Sequence, residues 1–155
     1  MPELTEIRWH ARAGQGAKTA AQALALALLR SGRSVQAFPE YGPERRGAPL
    51  RAYTRFAAEP IRRHDAVEEP DVIVVLDPTL ADEPAVRDGA RPDTSVLVSP
   101  AAGPSANLRM LGAVAAELGE PPLPELERAV VELLGGKAPA DELRAAVAEG
   151  YRCRS

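Results

Sequence analysis

Gly14-Gln15-Gly16, followed at once by Lys18 and Thr19, is the first stretch whose residue types and spacing suit a chemical task. Two glycines allow a tight turn. A helix starting there directs free N–H groups and the positive end of its dipole outward, a setting that favours phosphate or carboxylate. Lys18 and Thr19 add a charge and a hydroxyl in the first helical turn. The dinucleotide spacing Gly-x-Gly-x-x-Gly is not met, because Thr19 stands where the third glycine belongs, and the P-loop spacing is absent as well. The same turn would also serve plain close packing of a helix on a strand.

A second cluster lies between Pro39 and Pro49, where prolines and glycines pre-set the backbone around Tyr41, Glu44, Arg45 and Arg46. Restricting the chain lowers the entropy cost of holding these side chains in one arrangement, and arginine forks suit phosphate or carboxylate. The alternative is a solvated loop whose Arg and Glu pair with each other. A third candidate is Asp77-Pro78-Thr79, closing a hydrophobic run; Asp77 could accept from a ligand hydroxyl, orient a loop or cap a helix, the commonest of these roles. His10 and His64 are the only histidines, one ending a strand and one in a charged stretch. They support neither a histidine metal triad nor a Ser-His-Asp arrangement, and no residue is assigned a catalytic role.

The elements needed to position these residues follow from local pattern. Thr5 to His10 has strand character and runs into the glycine turn; Ala17 to Leu29 is an Ala/Leu-rich helix with no breaker until Gly32. Val35 to Phe38 and Leu50 to Phe56 predict two further strands. Val72 to Leu76 is an unbroken β-favouring run, expected near the sheet centre and buried on both faces, and Thr94 to Ser99 repeats it. Helices are expected over Asn107 to Leu118, Leu123 to Leu134 and Ala140 to Glu149. Short apolar strands alternating with helices predict a single α/β domain over 1–155, an open, mostly parallel sheet flanked by helices. The core sheet takes about 1–118 and the C-terminal helices about 119–150. If the sheet is parallel, Asp77 and Thr79 lie on the same edge as the glycine turn and line one crevice with it.

Composition narrows the task. The chain has 155 residues, 45% of them apolar, enough for one core without staples. Its one cysteine, Cys153, leaves no internal disulfide and no cysteine-ligated zinc or iron–sulfur centre. The net charge of −3 divides unevenly: residues 1–63 carry 11 Lys+Arg against 5 Asp+Glu, and residues 64–155 carry 8 against 17. The anion-seeking half comes first. Aromatic residues make up 4%, too few for the stacking platforms of a nucleic-acid binder. Met1 to His10 lacks the pattern of a signal peptide, and the longest apolar run, Ala23 to Leu29, is far shorter than a bilayer span, so a cytoplasmic protein without membrane contact is expected.

Four blocks together go further. Ile7-Arg8-Trp9-His10, Gly14-Gln15-Gly16 before an alanine-rich helix, Phe38-Pro39-Glu40-Tyr41-Gly42-Pro43-Glu44-Arg45-Arg46-Gly47-Ala48-Pro49, and Asp71 to Thr79 resemble, in order and spacing, the gamma subunit of 2-oxoacid:ferredoxin oxidoreductases. The Phe-Pro-Glu-Tyr-Gly block is the most specific and is more similar to the pyruvate and branched-chain types than to the 2-oxoglutarate type. The resemblance continues through Asn107 to Gly112 and Gly150-Tyr151. At two places the chain departs from the family pattern. Ala11 and Ala13 stand where members usually carry glycine, and Ser99 to Asn107 is shorter than usual, which implies the absence of a helix or helix–strand unit.

The resemblance implies a Rossmann-like gamma domain within a complex that oxidatively decarboxylates a 2-oxoacid, pyruvate by type, to an acyl-CoA. Thiamine diphosphate and iron–sulfur clusters would sit in alpha, beta and delta partner subunits, with ferredoxin as electron acceptor, and the gamma chain alone would be inactive. It would supply the CoA-facing surface, with Gly14, Gln15, Gly16, Lys18, Thr19, Asp77 and Thr79 lining the crevice and Tyr41, Glu44, Arg45 and Arg46 at a partner contact or the active-site entrance. Two other readings stand beside it: a diverged structural or gating subunit without CoA, as in oxalate-oxidising relatives, and a nicotinamide-dependent dehydrogenase. The latter lacks a third glycine and a clear acidic ribose ligand, Glu40 being the only nearby acid.

Overall fold

A computed structural model describes residues 4–40 and 48–154. Five strands, β1 (Thr5–Arg12), β2 (Ser34–Pro39), β3 (Pro49–Ala57), β4 (Val72–Val75) and β5 (Ser95–Val98), form one open sheet in the order β2-β3-β1-β4-β5. β1 pairs in parallel with β4, and β4 with β5, whereas β3 runs antiparallel to both β1 and β2. Four of the five strands therefore point the same way. Strand β4 is buried on both faces, as its unbroken apolar run predicts, but the sheet centre belongs to β1, one place further in.

Alternation along β1 separates the two faces of the sheet. Ile7, Trp9 and Ala11 join the main core with Ala52 and Phe56 of β3 and Val72 and Val74. Over them lies α1 (Ala17–Arg30), whose buried positions are mostly alanine, so its backbone approaches the sheet closely. The buried indole Nε1 of Trp9 donates to Thr54 Oγ1 at 3.1 Å, and that hydroxyl donates to the Ala21 carbonyl at 3.0 Å, which ties two strands to the helix without an unsatisfied polar atom. The helices α2 (Ala106–Leu118), α3 (Leu123–Leu134) and α4 (Ala140–Arg154) complete this same layer.

The expected flanking by helices thus holds on one face. The other is covered by the irregular stretch 58–71 and by two short 3-10 turns, Pro78–Leu80 and Pro84–Arg87, which bring Leu80 and Val86 over Ile73 and Val75. That face is polar on β1 and β3. Arg8, 1% exposed, donates to the carbonyls of Val67, Val86 and Asp88, and Arg55, fully buried, meets Glu6, the Gln36 amide oxygen and the Asp65 carbonyl.

Helices α2 and α4 touch backbone to backbone. A Cβ added at Gly112 would stand 2.0 Å from the Val147 carbonyl oxygen, and one at Gly150 would stand 1.7 Å from that of Arg109. These are two of the residues in the C-terminal resemblance, and close approach is the physical reason for both. Helix propensity alone favours Gly150→Ala by about 1 kcal/mol. The clash is with backbone, which cannot step aside, so we expect that variant to lose on the order of 1–3 kcal/mol instead. A lowered urea midpoint at unchanged m-value checks this.

Candidate functional site

Because β1 and β4 run in parallel, their carboxyl ends open on the same edge of the sheet. The glycine turn follows β1 there, and Asp77-Pro78-Thr79 follows β4. The expected juxtaposition is made by side chains: Gln15 Nε2 donates to Asp77 Oδ2 at 2.8 Å while Gln15 Oε1 accepts from the Arg12 backbone N–H at 2.7 Å. Asp77 also caps the 3-10 turn, accepting from the Thr79 N–H at 2.9 Å and the Thr79 hydroxyl at 2.7 Å, and Arg12 Nε stands 3.4 Å from Oδ2. The Thr79 hydrogen bond first, then Gln15, hold the buried Asp77 carboxyl below its usual range. With both oxygens so engaged, Asp77 orders the crevice wall, the capping role that its place before Pro78 allows.

The anion-seeking groups are backbone. Gly16 is the first cap of α1 in the left-handed conformation (φ 83°), and α1 has no side-chain cap. Ala20 N–H is the first to bond within the helix, to Gly16 O, so the N–H groups of Ala17, Lys18 and Thr19 have no acceptor among the described residues. Residues 99–107 carry the start of α2 to the same place. Ser105, also left-handed (φ 65°), begins α2 without a side-chain cap. Gly14, Gln15, Gly16, Gly103, Pro104, Ser105 and Asn107 line one open cavity of about 350 Å³. Two helix starts without side-chain caps border this one cavity, and N–H groups left unpaired at such starts favour an anion. Lys18, Thr19, Asp77 and Thr79 are not among the cavity's lining residues; in the first turn of α1 Lys18 is exposed and Thr19 half-buried.

Two participants escaped the sequence reading. Arg12 reaches Thr79 Oγ1 through Nη2 at 3.0 Å, and Asn107 Nδ2 donates to Gly16 O at 3.4 Å. Asn107 also closes on Gly16 so tightly that a Cβ there would lie 2.4 Å from Nδ2, whereas Gly14 (φ 90°) has open space. Arg12 had a local sign, its place just before the turn; the partnership of Asn107 with Gly16 crosses 91 positions and had none. Ala11 and Ala13, expected to stand in place of glycines, carry no backbone strain: Ser105 is the only non-glycine of positive φ among the described residues, Ala11 packs in the core, and Ala13 N–H donates to Ala48 O at 3.0 Å.

Tyr41, Glu44, Arg45 and Arg46 lie outside the described residues. The ends of their segment are placed: the Glu40 N–H donates to Arg51 O, and Ala48 lies against Ala13 beside the glycine turn. Glu40 Oε1 accepts from the Tyr53 hydroxyl at 3.2 Å. It ends an edge strand separated from β1 by β3, whereas a dinucleotide fold needs the acid-bearing second strand beside the first, which removes the last candidate for a ribose ligand. Among the described residues no group of His, Cys, Asp and Glu could hold a metal, and no helix is long and apolar enough to cross a membrane.

A sequence pattern described as pyruvate ferredoxin/flavodoxin oxidoreductase matches residues 6–104, which take in all of the sheet but Thr5 and both strand ends of the crevice. The chain belongs to that family. It is 58% identical over 94 residues to the pyruvate synthase subunit PorC of Thermotoga maritima, covering 61% of this chain and 48% of that protein. It is 51% identical over 96 residues to the common gamma subunit of the pyruvate/ketoisovalerate oxidoreductases of Thermococcus kodakarensis, covering 62% of this chain and 52% of that one. The matched segment thus spans about half the length of these curated relatives. The solved structure of the Thermotoga maritima pyruvate oxidoreductase subunit PORC superposes with a TM-score of 0.81 at 36% identity, covering 97% of each chain.

Two predictions come from the polar groups around this edge. His10, 4% exposed, accepts from Arg8 Nε through Nε2 at 2.9 Å and is neutral; burial, then Arg8 and Arg51, depress its pKa to about 3. The unfolded chain takes up a proton near 6.5 that the folded chain refuses, so stability is full above that pH and declines as pH falls from 6.5 toward 3. His10→Gln keeps an acceptor and does not titrate; its melting temperature should change less between pH 7 and 5 than that of the parent. Asp77→Ala should cost about 1–2 kcal/mol in urea unfolding through the lost cap, while Asp77→Asn keeps most of it.

Proposed function

We propose that the chain is the gamma subunit of a pyruvate-type 2-oxoacid:ferredoxin oxidoreductase and that the crevice between the starts of α1 and α2 receives the anionic phosphates of CoA. The observation carrying this reading is the meeting of two helix N-termini without side-chain caps at one cavity, with exposed Lys18 in the first turn of α1. In the complex, CoA contributes the thiol that accepts the acyl group. The residues of this chain act by holding: N–H groups of Ala17, Lys18 and Thr19 donate to the phosphate oxygens, Gly14 leaves room for close approach, and Gln15, Asp77, Thr79 and Arg12 keep the turn in shape.

The remaining chemistry falls to partners. Thiamine diphosphate and the iron–sulfur clusters are assigned to alpha, beta and delta chains, which also reach ferredoxin, and the isolated chain carries out no turnover. Tyr41, Glu44, Arg45 and Arg46 are assigned to a partner contact or the active-site entrance. The anchoring of Glu40 and Ala48 on the crevice edge supports that placement.

Gly16 is a poor site for a test, since a side chain there meets Asn107 and forces a left-handed backbone. Lys18→Glu changes only an exposed side chain. In the assembled complex it should weaken CoA by at least about tenfold, the equivalent of roughly 1.4 kcal/mol, with decarboxylation measured without CoA unchanged. Unaltered CoA affinity, or a wild-type complex indifferent to CoA, overturns the CoA assignment and favours a structural or gating subunit.

A further inference from the structure

Asparagine is among the weaker helix formers, yet Asn107 stands in the first turn of α2, and among the described residues its carboxamide makes no hydrogen bond within its own helix. Nδ2 instead reaches across 91 positions to Gly16 O at 3.4 Å. The same carbonyl accepts the first N–H bonded within α1, that of Ala20, at 3.0 Å. The contact is steric as well as polar: a Cβ on Gly16 would stand 2.4 Å from Nδ2, 3.0 Å from Cγ and 3.5 Å from Cβ of Asn107, so the carboxamide lies directly against the Gly16 backbone. Residues 101–105, which lead into α2 along the cavity, are exposed and are tied by local bonds, Ser99 Oγ to Ala101 O and Ala106 N–H to Gly103 O. The body of α2 is fixed independently, with Leu108 and Leu111 in the core and Gly112 against the Val147 carbonyl.

We propose that Asn107 is a positioning residue for the anion crevice: by joining the first turn of α2 to Gly16 it fixes the gap between the two helix starts, and through that gap the affinity for the phosphates of CoA. This role rests on the crevice receiving CoA. Backbone N–H groups cannot extend toward a ligand as a lysine can, and they bind well only where the main chain already holds them in place. With Nδ2 spent on Gly16 O, Asn107 acts through the start of α1 rather than on the anion. A side chain that does not grip Gly16 lets residues 101–106 move away from α1, so that a phosphate must order this wall as it binds. The cost then falls on CoA binding, while the core under α2 is untouched.

Steady-state kinetics of the assembled complex, with CoA varied at saturating pyruvate, test this role. Asn107→Ala removes the carboxamide, and Asn107→Leu keeps its approximate shape without a donor; both substitutions raise helix propensity, so neither weakens α2 itself. Each should raise KM for CoA at least about fivefold. At saturating CoA, kcat should stay within about twofold of the parent, as should KM for pyruvate, with the melting temperature moved by less than about 2 °C. Lys18→Glu in the same assay reports on the crevice itself. If it weakens CoA while both Asn107 variants keep the parental KM, the positioning role is overturned and the crevice reading stands. If Lys18→Glu and both Asn107 variants all leave CoA unaffected, the crevice reading fails and the positioning role with it. A parental KM for Asn107→Leu alone assigns Asn107 to filling space, and a joint loss of both KM values and of melting temperature assigns it to folding; either result overturns the proposal.

Discussion

The structure depends first on two guanidinium groups that have been taken out of water. Arg8 on β1 and Arg55 on β3 are fully or almost fully buried on the same face of the sheet. Arginine cannot shed its charge, so each needs acceptors in a fixed fork. Arg55 finds the carboxylate of Glu6 at 2.8 Å and that of Asp65 at 3.8 Å; Arg8 finds the His10 nitrogen and otherwise only main-chain carbonyls. Carbonyls inside a helix are already spent on the helix. The segments over this face must therefore be irregular, and they are: 58–71 and 78–94 contain no α-helix and are broken by Pro60, Pro70, Pro78, Pro84 and Pro92. The asymmetry of the domain, helices on one face and tethered loops on the other, follows from this requirement.

The same strand organises the opposite edge. With its neighbours β4 in parallel and β3 antiparallel, β1 delivers the glycine turn to a rim shared by the end of β4 and the start of β3. The acidic group on that rim is consumed by its neighbours, while the helix starts are left without caps. A polar crevice of this kind presents fixed dipoles rather than mobile side chains, and binding an anion there requires little reordering.

On the helical side the constraint is distance. Alanines let α1 settle on the sheet, and Gly112 and Gly150 let α2 and α4 meet at their backbones. The helical layer is then thin enough for α2 to begin at the crevice and end beside Ser95, where Glu117 accepts from the serine hydroxyl. Residues 99–105 lead α2 directly from the end of β5, the last strand of the sheet, back to the crevice.

By itself the sequence determined the local pieces. Leu123–Leu134 is bounded as its periodicity and flanking breakers require, the turn at Gly14-Gln15-Gly16 sits between strand and helix, and Asp77 caps the turn it precedes. Such features are written in neighbouring residues, through propensity, period and the special backbones of Gly and Pro. Four matching blocks also carried the family. What tertiary structure alone decided is which pieces meet: β3 between β2 and β1, Asn107 against Gly16, Gln15 on Asp77, and two helix starts at one cavity. Side-chain alternation is the same for a strand with a parallel or an antiparallel neighbour, so strand order is not legible in it. Contacts across 62 or 91 positions depend on burial of the whole sheet, a property that no local window contains.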